Sequence, residues 1–215
     1  MNKMKPIIFS TPMVVAILEG RKSQTRRVIK DKDITNWFDI DVDGKPIAYI
    51  DQETGDSYPP TRRAKYQVGD ILWVRETWAP CATIDSWLND TNLYVYRTNY
   101  GTTEDDSFPP SMFKWRPSIF MPREAARIFL KVTNVRVERV QDITVDDCRL
   151  EGCCCSDCLQ TGPHSPDCKC DTLFHNVWND INAKRGYSWD TNPWVWVYEF
   201  ERISKEEAER LEGMK

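Results

Sequence analysis

The segment Gly20-Arg21-Lys22-Ser23-Gln24-Thr25-Arg26-Arg27 sets four cations and two hydroxyls within eight residues. Guanidinium and ammonium donors at this density suit phosphate or another anion, which makes Arg21, Ser23, Arg26 and Arg27 candidate ligand-binding residues. A second chemistry is also open. A threonine hydroxyl becomes a nucleophile beside a base, and a lysine serves as that base when its pKa falls. Bringing Lys22 from about 10.4 to about 7 costs roughly 4–5 kcal/mol of differential solvation and charge repulsion. Arg21, Arg26 and Arg27 push in that direction. In a regular strand residues 22 and 25 face opposite sides, so they converge only where the chain turns or bulges just after Gly20. The plainer reading is a helix end followed by an edge strand, its charges serving to keep other chains off.

The second concentration of chemistry is Cys153-Cys154-Cys155-Ser156-Asp157-Cys158, then His164, then Cys168-Lys169-Cys170, which gathers six of the eight cysteines into 18 residues. In a reducing compartment this density points to a metal rather than disulfides. Cys155 and Cys158 form a two-residue-spaced knuckle, and Cys168 and Cys170 complete four thiolate ligands. Cys153 or His164 can replace one of them. Four protein ligands leave no open position, so the expected zinc is structural and pins the loop between two helices. The alternative is a set of reduced thiols in a loop. His164 and His175 lack serine and aspartate company for a triad, and His175 reads as exposed or helix-packing. No P-loop, dinucleotide fingerprint or EF-hand is present.

The elements that must position these groups are short. Lys5 to Ser10 reads as a strand. Thr11 is expected to cap a two-turn helix, with Pro12 in its first turn and Gly20 as its left-handed stop. Residues 31–68 are an acidic, weakly periodic excursion with a hairpin expected across Asp43-Gly44. Strands are expected over Ile71–Trp78, Leu93–Arg97, Ala126–Val140 and Trp194–Phe200. Thr144 with Asp147 makes a capping box for a helix that ends at Glu151-Gly152. Phe174, Val177, Trp178 and Ile181 fall at helical spacing. Ser204 with Glu207 caps a last helix whose tail, nearly devoid of large apolar residues, is expected to be solvated. Short strands with helices between them predict an α+β fold, a small β-barrel with inserted short helices and long loops.

The composition is that of a folded chain: 40% apolar and 12% aromatic, with nine tryptophans. Of these, Trp73, Trp78, Trp115 and Trp196 are candidates for stacking on bases, with the core as the ordinary alternative. Lys3, Lys5, Arg21, Lys22, Arg26, Arg27 and Lys30 face Glu19 alone in the first 30 residues, on a chain whose net charge is −4. A local basic patch on an acidic protein suits selective anion binding, and the plainer alternative is a basic strand paired against the acids of residues 31–56. No stretch is apolar for the roughly 18 residues a membrane helix needs. The run Ile7-Ile8-Phe9 is too short for a secretory leader, so a cytoplasmic location without membrane partners is expected.

At Ala16–Arg27 the chain resembles ASCH-domain proteins, a branch of the PUA-like superfamily, and in particular the longer forms carried by bacteriophages and prophages. The resemblance continues through Val68-Gly69-Asp70-Ile71-Leu72-Trp73-Val74-Arg75-Glu76-Thr77-Trp78 and Trp115-Arg116-Pro117-Ser118-Ile119-Phe120-Met121-Pro122-Arg123. It then takes in the Asp142–Gly152 helix and Asn192-Pro193-Trp194-Val195-Trp196-Val197. It implies one PUA-like domain over residues 1–203, with a cysteine-rich insertion at 153–170 and a polar helical tail at 204–215. It also implies a cleft beside the first helix suited to RNA or to a modified nucleoside or nucleotide. Some small members are amidohydrolases that deacetylate acetylated cytidine with a lysine, a threonine and a glutamate, which match Lys22, Thr25 and Glu151. Another branch cuts RNA. The chain is about twice the length of those small enzymes, and its loops at 31–66, 79–114 and 153–171 stand to cover or reshape the cleft. The functions expected are therefore RNA or nucleotide binding through Arg21–Arg27, amidohydrolysis, or binding of a host protein by a phage accessory factor.

Overall fold

The computed structural model describes residues 3–30, 38–42, 45–51, 53–80, 94–99, 113–161 and 168–214. The fold is α+β with a mixed sheet. The chain forms two units, Met1–Gly20 with Ile71–Lys131 and Arg202–Lys215, and Arg21–Asp70 with Val132–Glu201.

In the first unit, β1 (Lys5–Ile8) runs parallel to β6 (Ile71–Arg75), with Lys5 opposite Leu72 and Ile8 opposite Arg75. β6 pairs antiparallel with the start of β9 (Phe129–Arg139). The parallel pair is a feature the alternation of Ile71–Trp78 does not reveal. Between β1 and β6 comes α1 (Thr11–Leu18), capped by Ser10, one residue earlier than the sequence suggests; the Val14 amide donates to the Ser10 carbonyl at 2.9 Å. Pro12 in the first turn gives up only an amide that lacks a partner there anyway. Gly20 ends the helix at φ 74°, a conformation that a β-carbon would strain. β7 (Trp78–Pro80) pairs with β8 (Tyr94–Tyr96). Met4, Ile71, Trp73, Trp78, Met121 and Phe129 are central to the core.

The last helix, α5 (Lys205–Gly213), belongs to that core. Ala208 is fully buried, and Ile203 and Leu211 pack against the same cluster. The expectation of a solvated tail is thus corrected. A single alanine on the inner face lets the helix backbone approach closely, and Glu212 fixes its end by accepting from the Met4 amide at 3.1 Å and pairing with Arg123.

The second unit holds the strand order β9-β10-β2, where β2 is Gln24–Val28 and β10 is Trp194–Ile203. β2 and β10 are antiparallel, with Thr25 opposite Tyr198 and Arg27 opposite Trp196. The excursion carries a small antiparallel sheet, β3 (Phe38–Ile40), β4 (Pro46–Ile50) and β5 (Ser57–Tyr58). The expected hairpin strands do pair, while Asp43 and Gly44 lie outside the described residues. Helices α2 (Val145–Leu150), α3 (Ser156–Thr161) and α4 (Cys170–Asn182) follow β9. Phe174 and Trp178 of α4 are buried beside Val140, Cys148, Val195 and Val197, whereas Ile181 at the far end of the stripe is exposed. β1 and β2 each have one strand neighbour, so among the described residues the ladders do not close into a barrel.

Candidate functional site

The chain breaks its regular pairing just after Gly20, which is the condition for Lys22 and Thr25 to share a side. Lys22 forms an isolated bridge with Glu151. At Ser23 the partners change: its amide donates to the Leu150 carbonyl at 2.9 Å, and its carbonyl accepts from the Phe200 amide at 2.8 Å. Regular pairing with β10 begins only at Gln24.

This break turns Lys22 inward. Its Nζ donates to Glu151 Oε2 at 2.8 Å, to the Glu151 carbonyl at 2.7 Å and to the Gln24 carbonyl at 2.8 Å. An ammonium has three donors, and all three are used. The third acceptor is the carbonyl immediately before Thr25, so the ammonium stands one peptide from that buried hydroxyl residue. Burial drives the Lys22 pKa below the ordinary lysine value; the Glu151 carboxylate opposes this and Arg27 adds to it.

Glu151 is the C-cap of α2, and a carboxylate there opposes the helix dipole. The structure resolves that conflict. The same ammonium binds the cap carbonyl and the cap carboxylate, supplying the cation a helix C-terminus favours. Gly152 at φ 87° then turns the chain away toward the cysteines.

Arg26 extends the cluster. Its guanidinium, almost wholly enclosed, reaches Glu138 at 3.0 Å, Asp147 at 3.1 Å and Glu151 at 3.3 Å. Asp147 is also the capping-box residue of α2: the Thr144 side chain accepts from its amide, and its carboxylate accepts from the Thr144 amide. Burial pushes the Asp147 pKa up, but Arg26, the cap hydrogen bond and Arg136 outweigh it and leave it below the usual carboxylate range. Arg136 pairs with Glu138, Glu199 and Asp147. The role of Arg136, Glu138 and Glu199 escaped the sequence reading. The signal was there in part, because Arg136 and Glu138 share one face of β9 at i, i+2.

The remaining block residues are less enclosed. Arg21, Ser23 and Arg27 are partly buried, and Arg21 Nη1 donates to the Gly152 carbonyl at 3.4 Å. Burial lowers the Arg27 pKa, with Tyr66, Glu151 and Tyr198 opposing and Arg185 reinforcing. Of the tryptophans singled out, Trp73, Trp78 and Trp196 are buried and Trp115 is half-exposed. His175 is half-buried, its ring tilted at 50° to Trp189 with centroids 5.1 Å apart and hydrogen-bonded to Asn179.

The cysteine loop forms the second cluster. The Sγ atoms of Cys155, Cys158, Cys168 and Cys170 all lie within 4.8 Å of one another. Cys155 and Cys170 are 3.7 Å apart and Cys158 and Cys168 are 3.3 Å apart. Four sulfurs at about 2.3 Å from a central ion would sit about 3.8 Å from each other, so the cluster has the size of a tetrahedral thiolate site. The amides of Cys155 and Lys169 donate to Cys170 and Cys155 sulfurs at 3.3 and 3.5 Å, the kind of donation that stabilises thiolates. These residues fit a structural metal. Cys153 stays outside the four, next to Lys22 and Glu151: burial pushes its thiol up to about 11 while Lys22 pulls it down. His164 lies outside the described residues. Among the described residues no helix is long and apolar enough to cross a membrane.

Compared with known proteins, the chain matches no protein-family model, no curated protein and no solved structure.

Proposed function

We propose that the protein is an amidohydrolase of the ASCH type that deacylates an acetylated cytidine-type nucleoside, with Thr25 as nucleophile and Lys22 and Glu151 as its proton relay. The observation that carries this reading is the enclosed Lys22–Glu151 pair, held 2.8 Å apart with the ammonium against the peptide of Thr25. Lys22 passes a proton to Glu151 Oε2, and the neutral amine takes the proton of the Thr25 hydroxyl as it attacks the acyl carbonyl. Arg27 holds the developing oxyanion. The relay returns a proton to the departing amine, and water then hydrolyses the acyl-threonine to free carboxylate. A buried lysine is suited to this work because desolvation makes its neutral form accessible.

The pure-binding alternative needs the cations of the Arg21–Arg27 block to face a ligand. It is less well supported, because Lys22 and Arg26 are enclosed and paired with carboxylates. The finer fold assignment, a PUA-like barrel, rests on the five motifs in order. For the metal we propose zinc, on the four-thiolate donor set and its dimensions. Reduced thiols suit the cytoplasm.

The test is turnover of acetylated cytidine followed chromatographically. Wild type should release cytidine and acetate; Lys22→Ala and Thr25→Ala should abolish release, and Glu151→Gln should lower turnover more than binding. A wild-type protein without turnover on this class of substrate ends the hydrolase reading.

A further inference from the structure

The four sulfurs of the cysteine cluster are not equivalent. Cys155, Cys158 and Cys170 are buried, whereas Cys168 is half-exposed just ahead of α4. Their partners differ as well. The Cys155 sulfur accepts from the Lys169 amide at 3.5 Å, and the Cys170 sulfur accepts from the Cys155 amide at 3.3 Å. Among the described residues no backbone amide donates to the sulfur of Cys158 or Cys168. Those two sulfurs meet each other at 3.3 Å, against 3.7 Å for Cys155 and Cys170. An amide donor draws charge from a thiolate and blunts it as a nucleophile. The cluster thus divides into a shielded pair and a bare, closer pair with one member open to water.

A thiolate within reach of solvent, with a second sulfur beside it, is the arrangement a small oxidant attacks. Sulfurs that hold a metal are kept as thiolates, the form that reacts. Cys168 attacks one oxygen of a hydroperoxide. The O–O bond breaks, a sulfenic acid forms on Cys168, and the other oxygen takes a proton and leaves. The Cys158 thiolate then attacks the Cys168 sulfur. The S–S bond forms, the S–O bond breaks, and the departing hydroxide takes a second proton to become water. The two thiolates lose two electrons and the peroxide gains them. Two of the four ligands are then gone.

The cluster is joined to the end of α2. Cys155 follows Glu151 by four positions, and the amides of Gly152 and Cys153 are bonded back to the Arg149 and Cys148 carbonyls at 2.8 and 3.0 Å. Cys148, on the same helix, is buried in one cluster with Cys155, Cys158 and Cys170. A metal on these ligands braces the helix end where Glu151 sits.

We infer that Cys158 and Cys168 form a peroxide-responsive dithiol, whose oxidation to a disulfide ejects the metal and loosens the end of α2 that carries Glu151. The inference rests on the proposed zinc for its metal and on the thiol geometry alone for its reactive pair.

The test adds hydrogen peroxide in stoichiometric steps to the full chain, purified without chelator. Released metal is read with a chromophoric chelator, and disulfides by non-reducing peptide mapping. One equivalent should release the metal and link the Cys158 and Cys168 peptides, and dithiothreitol with added zinc should restore the starting state. Hydrogen exchange at Gly152 and Cys153 should rise in the oxidised form. Because Cys168→Ser removes a ligand as well as a thiol, Cys168→His is the more informative variant. An imidazole keeps four ligands but forms no disulfide, so metal release should slow by about tenfold or more. Cys153→Ser and Cys154→Ser should release metal at the wild-type rate. Metal retained in excess peroxide, a disulfide mapped to other cysteines, wild-type release from Cys168→His, or unchanged exchange after release overturns the inference. A chain that carries no metal yet links Cys158 to Cys168 removes the zinc reading and keeps the dithiol; a metal-bearing chain that peroxide leaves intact does the reverse.

Discussion

Lys22 Nζ and Glu151 Oε2 meet at 2.8 Å across 129 positions of sequence, and both side chains are enclosed. A buried pair of this kind contributes less through its attraction than it costs to break. Removing one partner leaves a charge without water or counter-ion, at about 3–5 kcal/mol. Lys22→Met and Glu151→Met are each expected to lower the free energy of unfolding by that amount, while the double substitution recovers most of it. Equilibrium urea unfolding reads this directly, and a single variant as stable as wild type contradicts the enclosed pair.

The depressed Lys22 pKa fixes the direction of two pH dependences. If neutral Lys22 is the base, kcat/KM rises with pH through the Lys22 pKa and levels off below 10.5, the ordinary lysine value. Lys22→Arg should show no such limb, because arginine stays protonated. Stability follows the same sign. Between the folded pKa and 10.5 the unfolded chain holds a proton that the folded chain has released, so this group's contribution to stability rises with pH across that window. A rate profile that falls with pH there rules out lysine as the base.

Local chemistry made much of this site readable in advance. The Thr144–Asp147 box, the Gly20 and Gly152 stops and the four cysteines all act over a few residues, and the structure has each in place. The need for a break near Gly20 was also legible, from nothing more than the two-residue period of a strand. The fate of Arg26 was not. Its position in a basic run suggests an outward, anion-binding group, yet Glu138 and Asp147, more than 100 positions away, turn it inward. Charge along the sequence says nothing about which acids the topology brings alongside. The parallel partner of β1 and the docking of α5 through Ala208 were hidden for the same reason, since each depends on a distant surface.

Arg26 is accordingly expected to behave as a core residue. Arg26→Ala leaves Glu138, Asp147 and Glu151 facing one another without their shared cation, and should cost about 3–5 kcal/mol. Arg26→Lys should recover only part of this, because a point charge cannot span three carboxylates as a guanidinium does. The measurement is thermal or urea unfolding of both variants. If Arg26→Ala unfolds like wild type while losing nucleic-acid binding, the guanidinium faces a ligand instead.

The four-thiolate cluster gives the last expectation. Zinc bound by Cys155, Cys158, Cys168 and Cys170 should appear in native mass spectrometry, on protein purified without chelator, as one added metal per chain. The ligands lie at and beside the facing ends of α3 and α4, so a bound metal ties these two helices together. Metal binding then supplies folding energy that packing does not. Chelation should therefore raise thiol reactivity and hydrogen exchange at residues 153–170 first, with β9 and β10 unaffected until later. With metal bound, those four thiols should resist alkylation while the half-exposed Cys153 and Cys154 react. Cys158→Ser should weaken metal retention and loosen the same segment. A mass equal to that of the bare chain, with all eight cysteines alkylated at one rate under native conditions, would show that the thiols hold no metal.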